Sequence, residues 1–263
     1  MILKSLKSSF LTAVLFLTLV SGASALDVGG VARVVQVVDG DTVMLGTPVF
    51  GANQVRLVGI QAPKLPLGRD GFKKWPLADE AKAALERLTL GHVVELRFGG
   101  RRMDRYGRLL AHLYVDGETW VQGTMLNDGM ARVYSFPDNR SLAPEMLKAE
   151  AAARAARRGM WALTAYAIRP VVETPGLIGG FYLVEGVVLD AATVKGRTYL
   201  NFGADWREDF TVSIDKRAMK LFKKSGFDLL ALKNKRIRVR GWLKKFNGPM
   251  IEASHPEQIE VLD

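Results

Sequence analysis

The sequence predicts a mainly β protein with helices, folded as two small five-stranded barrels, the first of which has helices packed against it. Short apolar runs bounded by Gly, Asp or Asn predict the strands, and they fall into two groups on either side of residues 164–180. That segment holds two prolines and three glycines and lacks periodicity, which predicts a linker. With 48% apolar and 24% charged residues, the composition is that of a globular protein.

Residues 1–25 have the pattern of a secretory signal peptide. Lys4 and Lys7 precede an apolar run over 10–20, and residues 23–25 read Ala-Ser-Ala, a small-residue cleavage site. The apolar run is short for a membrane span, which needs about 20 residues. We therefore expect cleavage after Ala25, export to the periplasm or medium, and no stable membrane insertion afterwards. An uncleaved anchor is the alternative.

The chain is basic. It carries 37 Lys+Arg against 27 Asp+Glu, a net charge of +10, and removal of the two leader lysines leaves +8 (10 − 2). Such an excess favours polyanionic partners, nucleic acid or an anionic envelope polymer, although solubility alone also accounts for it. Cysteine is absent, which excludes disulfides and thiolate metal sites.

In the predicted first domain, residues 26–163, short strands alternate with helices. The expected strands are 31–38, 41–46, 54–60, 93–98 and 109–115. The expected helices are 78–90, 119–128 and 143–159. The last helix stops at Gly159, as a helix ended by glycine does.

In the predicted second domain, residues 181–263, the pattern is simpler. The expected strands are 181–190, 197–203, 209–214, 235–243 and 249–253, with one helix at 216–231. Five strands with a helix between the third and the fourth is the order of an OB-type barrel. We therefore expect an OB-like accessory domain.

Three segments of the first domain contain the residue types of a phosphodiester site. They are VVDGDTVML at 37–45, RLVGIQAPK at 56–64 and DRYGRLLAHLY at 104–114. The first points Asp39 and Asp41 the same way, and the last sets Arg105 and Arg108 at the start of a strand. Arginines neutralise charge that develops on a phosphate, and a carboxylate holds a divalent cation. Turn residues and exposed strand ends are the simpler alternatives.

The order D-G-D-T, R-L-x-G-I-x-A-P, D-x-Y-G-R-x-L-A, then a helix and G-x-W, resembles the staphylococcal nuclease, or thermonuclease, family over about 31–162. The resemblance implies an OB-type barrel whose site binds calcium, activates water with a glutamate and holds the phosphate with two arginines. It also implies that Asp41 is the first calcium-binding aspartate and that Arg56 and Arg108 are the phosphate-binding arginines.

Two positions depart from that family's pattern. Gln61 stands in place of the second calcium-binding aspartate, and Lys64 stands in place of the glutamate base. An amide brings no charge to a hard cation, and a protonated lysine repels the cation and accepts no proton from water. We expect a degenerate site that binds phosphate, with no cofactor required and at most a weak calcium site at Asp41.

Aromatic and basic residues predict further contacts to nucleic acid. Tyr134 and Phe136 alternate where the family has tyrosines near the bound base, although burial in the core is an alternative. In the second domain, KRIRVRGWLKKF at 235–246 places three arginines on one strand face, followed by a tryptophan: Arg236, Arg238, Arg240 and Trp242. Like charges on one face repel unless an anion lies across them, which predicts a nucleic-acid site; a solvated face is the alternative.

These expectations combine into one hypothesis. The protein is exported, is thermonuclease-like, binds nucleic acid or a similar phosphate polymer, and has lost most calcium-dependent cleavage. One alternative is an active phosphodiesterase that uses a displaced carboxylate, Asp70 or Glu80. Another is an envelope scaffold that binds protein. No oligomeric state is predicted.

Overall fold

A computed structural model describes residues 26–262. The predicted signal peptide, residues 1–25, lies outside the described residues. Within residues 26–262, no helix has the length and apolar composition that a membrane span requires.

The first barrel and its helices occupy the chain up to Ala155. The elements are β1 (Asp27–Asp39), β2 (Thr42–Val49), β3 (Ala52–Leu57), β4 (Ile60–Gln61), α1 (Ala78–Thr89), β5 (Val93–Phe98), β6 (Leu109–Val115), β7 (Thr119–Trp120), α2 (Val121–Asn127), β8 (Arg132–Val133) and α3 (Ala143–Ala155).

The barrel closes through the long strand β1, which pairs with two neighbours. Its first half runs antiparallel to β5 and its second half antiparallel to β2. β3 pairs with β2 on one side and runs parallel to β6 on the other, and β6 pairs with β5. The ring β1-β2-β3-β6-β5 is therefore complete, which confirms the small barrel predicted for this part of the chain.

An irregularity in β1 allows its apolar residues to face the core along both halves, one paired with β5 and the other with β2. Ala32, Val34 and Val37 are buried in the core whereas Val35 is exposed, so the alternation of sides shifts by one residue. The shift coincides with a break in register between Val34 and Gln36. An extra residue at that point bends the strand and keeps both halves facing the core.

The helices pack outside the barrel, as predicted. Ala81 and Leu85 of α1 are fully buried in the same apolar cluster as the barrel residues. α3 ends at Ala155, four residues before the predicted end, because Arg157 already adopts a left-handed conformation (φ 50). A residue in that conformation ends a helix.

The second barrel follows after a short connecting segment. The elements are β9 (Arg169–Pro170), β10 (Phe181–Val187), β11 (Asp190–Val194), β12 (Arg197–Asn201), β13 (Thr211–Ile214), α4 (Lys216–Lys224), β14 (Arg236–Phe246), β15 (Gly248–Glu252) and β16 (Ile259–Val261). β16, and β11 beyond Asp190, lie outside the predicted strands. α4 stops well before the predicted residue 231, since Gly226 takes a positive φ of 68.

The second barrel repeats the strand order of the first. β10 and β11 are nearly continuous and act as the two halves of one bent strand, pairing with β14 and β12 respectively. β13 runs parallel to β15, which pairs with β14. α4 lies between the third and fourth strands, the order expected of an OB-type barrel.

The segment at 164–180 is folded, whereas the sequence predicts an irregular linker. It contains short 3₁₀ helices at Thr164–Tyr166 and Val171–Leu177, and β9 between them runs parallel to β10. The hydroxyl of Tyr166 donates to the Pro76 carbonyl, 2.6 Å away. The predicted linker is therefore a short, ordered connection between the two barrels.

Ion pairs join the two barrels. Arg240 of β14 contacts Glu150 of α3, with 2.7 Å between Nη2 and Oε2, and both side chains are buried. Two further ion pairs cross the boundary, Arg154–Glu260 at 2.8 Å and Arg140–Glu257 at 2.7 Å. The relative position of the barrels therefore depends on one buried ion pair and two partly exposed ones.

Candidate phosphate site

Two carboxylates form the floor of the site. Asp39 ends β1, Asp41 lies in the following turn, and the Asp41 N–H donates to Asp39 Oδ1 at 3.1 Å. Gly40 between them has no room for a side chain, since a Cβ would lie 2.6 Å from that of Ala62. This close packing buries Asp41 completely.

Lys64 reaches across both carboxylates. Its ammonium lies 2.6 Å from Asp41 Oδ2, 2.7 Å from Asp41 Oδ1 and 3.2 Å from Asp39 Oδ2. Burial raises the pKa of Asp41, but the charges of Arg56 and Lys64 and hydrogen bonds from Lys64 and the Ala62 N–H together lower it to about 2. Asp41 is therefore ionised at neutral pH, and its charge is compensated within the protein.

Arg56 lies on the other side of Asp41. Its Nη2 is 3.2 Å from Asp41 Oδ2 and donates to the Ile60 carbonyl at 2.6 Å. The Leu57 carbonyl accepts from its Nη1. The guanidinium is thus held rigidly at the end of β3, where one edge faces the neighbouring pocket.

Gln61 points away from the carboxylates. Its Oε1 accepts from Arg132 Nε at 3.0 Å and from Nη2 at 2.6 Å, and Arg132 Nη1 donates to the Phe181 carbonyl of the second barrel at 3.1 Å. The two residues face each other because β4 pairs with β8. Gln61 therefore connects the site to the second barrel.

Asp41 and Gln61 do not fit as ligands of the calcium ion that the family resemblance implies. Both Asp41 oxygens contact the Lys64 ammonium, and the Gln61 oxygen is occupied by Arg132. Across residues 26–262, no group of three or more His, Cys, Asp or Glu side chains is arranged to hold a metal. A hard divalent cation needs several free carboxylate oxygens, and this cluster presents ammonium and guanidinium groups instead.

A pocket of about 460 Å³ opens beside the cluster; we call it the phosphate pocket. Its charged lining residues are Arg56, Arg101, Arg105, Arg108, Asp104 and Asp138. Four cations thus face two anions. Arg108 Nε donates to Asp104 Oδ2 at 2.7 Å, and Arg101 lies 4.0 Å from Asp138. Asp41, Gln61 and Lys64 lie outside this lining, so the pocket itself is cationic.

Aromatic rings form one wall of the phosphate pocket. Tyr134 and Phe136 meet edge to face with 4.9 Å between ring centroids, and Tyr106, 67% exposed, also lines the pocket. Phe136 is 47% exposed, which does not agree with the alternative of core burial. The structure therefore brings Arg56, Arg108 and this aromatic pair together, although they are far apart in sequence.

The displaced-carboxylate alternative gains no support from the geometry. Asp70 is exposed in the loop after Lys64, and Glu80 is exposed on the first turn of α1. Neither lines the phosphate pocket. The carboxylates that do line it, Asp104 and Asp138, are already near arginines.

The arginine face of β14 corrects a sequence expectation. Arg236, Arg238 and Arg240 do share one face, but acidic side chains of the protein lie across it. Arg240 is 1% exposed and bonded to Glu150. Arg238 pairs with Glu185 and Glu260 at 2.7 and 3.1 Å, and Arg236 also contacts Glu185. The anions that the repulsion argument requires are therefore internal, and Arg240 has no surface to offer a nucleic acid.

Trp242, on the same strand, does reach a surface. It is 42% exposed, and its Nε1 donates to the Tyr134 hydroxyl at 3.0 Å. Sequence reasoning missed Arg132 and Glu150, two of the residues that connect the barrels. The only sequence signal for Glu150 is its spacing of four from Arg154, which is also typical of any exposed helical pair.

Comparison with known proteins gives a consistent result. The family described as Staphylococcal nuclease homologue matches residues 54–163. The SPbeta prophage-derived endonuclease YokF of Bacillus subtilis (strain 168) is 33% identical over 131 residues, 49% of this chain and 43% of that protein. The probable staphylococcal-like nuclease CAN1 of Oryza sativa subsp. japonica is 36% identical over 109 residues, 41% of this chain and 29% of that protein.

A third relative extends further along the chain. Endonuclease YhcR of Bacillus subtilis (strain 168) is 26% identical over 179 residues, 66% of this chain and 14% of that protein. The chain therefore spans less than two thirds of the length of each of these relatives. Residues 54–163 thus match the staphylococcal nuclease family, and the closed barrel and the ordered motifs lie in the same part of the chain.

Proposed function

We propose that this protein is exported and binds nucleic acid through the phosphate pocket, and that its calcium-dependent phosphodiester cleavage is lost or much reduced. One observation carries the proposal: the ammonium of Lys64 lies within 2.7 Å of both oxygens of Asp41. Asp41, the expected calcium ligand, and Lys64, at the position of the expected base, are thereby bonded to each other.

The charge balance supports this proposal. Asp39 and Asp41 supply two negative charges, and Lys64 and Arg56 supply two positive charges within 3.2 Å. A divalent cation entering this cluster meets two fixed cations and no uncompensated carboxylate. Lys64 also donates to both carboxylates, so it offers no free acceptor for a proton of water.

The phosphate pocket supports binding. Apart from Arg56, which already compensates Asp41, three arginines of the pocket face two aspartates, and guanidinium groups bind phosphate oxygens in a forked geometry. Exposed aromatic rings beside these cations provide stacking surfaces for bases. The relatives named above are called nucleases, which supports nucleic acid as the polymer. The N-terminal pattern with Lys4, Lys7 and the Ala-Ser-Ala site supports export.

A binding experiment tests the proposal. The purified protein is titrated into fluorescent single-stranded DNA and RNA, once with calcium and once with chelator. Binding should be equal in both conditions and should weaken steeply with salt, and the strands should stay intact. Arg105→Ala should weaken binding, and the exposed Arg87→Ala, which removes an arginine away from the pocket, should not. Cleavage that chelator abolishes would overturn the proposal.

A further inference from the structure

A second pocket continues from the phosphate pocket across the domain boundary. It measures about 730 Å³, and we call it the interdomain groove. One side is the segment 134–138 of the first barrel, and the other is formed by α4, β14 and β15 of the second. Tyr134, Phe136 and Asp138 line both cavities, so a ligand can pass from one to the other without leaving the surface.

The groove carries two unpaired cations. Arg217 and Lys220 are exposed on α4 and line the groove, and neither forms an ion pair with a residue that the structure describes. Two other cations of the groove, Arg197 and Lys244, both pair with Glu252. Free cations on one side of a groove provide contacts for anions spaced along a polymer.

A row of aromatic rings connects the two cavities. Trp242 packs edge to face on Phe181, with 6.1 Å between centroids, and Phe181 packs on Tyr134 at 5.1 Å. Phe136 extends the row toward the phosphate pocket. Phe181 itself is buried, so the faces offered at the surface are those of Trp242 and Phe136, 42% and 47% exposed. Such faces suit unpaired bases, since a duplex keeps its base faces stacked inside.

The two sides of the groove are held in place. The buried Arg240–Glu150 pair and the Arg132 bond to the Phe181 carbonyl connect the barrels directly beneath it. His255, also buried, bonds to Ser135 at the floor of the groove, with 2.8 Å between Nε2 and Oγ. A groove that is formed before binding costs little ordering entropy when a ligand enters.

We propose that the phosphate pocket and the interdomain groove form one continuous site for single-stranded nucleic acid that crosses the domain boundary. Backbone phosphates contact Arg217 and Lys220, and a base stacks on Trp242. This proposal rests on the proposed function, because it assumes that the polymer in the phosphate pocket is nucleic acid. The second barrel then contributes to binding through α4 and Trp242. On β14, Arg236 and Arg238 pair within the second barrel, and Arg240 holds the barrels together.

Strand length provides the test. A dinucleotide fills the phosphate pocket only, whereas a strand of about twelve nucleotides is long enough to enter the groove as well. The double variant Arg217→Ala/Lys220→Ala should weaken binding of the long strand and make its salt slope shallower by about 1.4, about 0.7 for each lost phosphate contact. Binding of the dinucleotide should not change.

Matched controls are available on the same barrel. Lys223→Ala/Lys224→Ala removes the same charge from α4 but outside the groove, and should change the affinity for the long strand much less. Trp242→Ala should weaken long-strand binding roughly 5- to 100-fold. Trp206→Ala removes another exposed tryptophan, 53% exposed and outside both cavities, and should have no effect. Unchanged thermal unfolding confirms that the variants are folded.

The outcomes separate this inference from the proposed function. If the unmodified protein binds neither strand, the proposed function fails. A different outcome is that the protein binds both strands equally, or that Arg217→Ala/Lys220→Ala and Lys223→Ala/Lys224→Ala have the same effect on the long strand. Either result would leave binding in the phosphate pocket intact and show that the continuation into the groove is wrong. A dinucleotide that loses affinity in Arg217→Ala/Lys220→Ala would also overturn the separate roles assigned to the two cavities.

Discussion

Arg240 of the second barrel and Glu150 of the first form a buried ion pair, with 2.7 Å between Nη2 and Oε2. Removal of one partner leaves the other charged and buried, which costs about 3–5 kcal/mol in comparable pairs. Arg240→Met should therefore lower the free energy of unfolding by about that amount, measured by urea denaturation. Lys82→Met, which removes a cation from the half-exposed pair with Glu86, is the control and should have little effect.

The double variant Arg240→Met/Glu150→Leu should recover much of this loss, because no charge remains buried without a partner. Glu150 also accepts from the Val133 N–H at 2.8 Å, so recovery should be incomplete. A double variant as unstable as Arg240→Met alone would show that the pair matters through its shape and not through its charge.

Calcium binding should appear when the internal cation is replaced. Lys64→Glu together with Gln61→Asp moves the site by three charge units toward negative, two from the first change and one from the second. Calcium should then raise the unfolding temperature of the double variant, but not that of the natural protein. Gln61→Asp alone should not respond, since Arg132 lies against position 61 and Lys64 still neutralises Asp41. An equal rise in unfolding temperature for the natural protein would contradict the inference that Lys64 and Arg132 occupy the oxygens that calcium needs.

Asp104 should compete with nucleic acid for Arg108. Asp104 Oδ2 accepts from Arg108 Nε at 2.7 Å, and Oδ1 accepts from the N–H groups of Tyr106 and Arg108. Asp104→Asn keeps an oxygen for those N–H groups but removes the competing charge. Affinity for single-stranded DNA should rise by about fivefold, equivalent to about 1 kcal/mol. Asp116→Asn, an exposed position outside the pocket, should leave affinity unchanged in the same fluorescence titration.

Acid should destabilise the protein through His255. Burial lowers its pKa from 6.5 to about 4; the nearby Glu257 charge opposes this, and the Arg140 and Arg240 charges add to it. The unfolded chain therefore binds a proton between pH 6.5 and about 4 that the folded protein does not, so stability falls as the pH drops through that window. The pKa difference corresponds to roughly 3 kcal/mol.

Urea denaturation at several pH values checks this prediction. His255→Asn should reduce the loss of stability between pH 6.5 and 4. A contribution from His112 should remain, because burial also lowers its pKa to about 4. A natural protein whose stability is flat over this window would contradict the assignment.

The architecture could be predicted from sequence to the extent that it depends on local pattern. Alternating apolar residues and Gly-bounded runs located the barrel strands, and three motifs in the right order brought Asp41, Arg56 and Arg108 to one barrel. Local pattern also predicted that the three arginines of β14 share a face. It could not predict what covers that face, because Glu150 lies 90 residues away on another domain.

The same limit applies inside the site. The sequence predicted that Gln61 brings no charge to a cation, but not that its amide turns toward Arg132, 71 residues further along the chain. The length of Lys64 and its place after β4 allow it to reach Asp41, yet the contact depends on the turn that points Asp39 and Asp41 inward. The early end of α3 depends on the conformation of a single residue, Arg157, which propensity does not reveal.

The contacts of Arg132 have a mechanical consequence. One guanidinium bonds to the Gln61 amide in the wall of the site and to the Phe181 carbonyl at the start of the second barrel. Rotation of the second barrel relative to the first would therefore either break the bond from Arg132 to Phe181 or displace the Gln61 side chain. Gln61 lies next to the carboxylates that Lys64 neutralises. In this protein the position at which the family motif carries a metal ligand is hydrogen-bonded to the residue that contacts the second barrel.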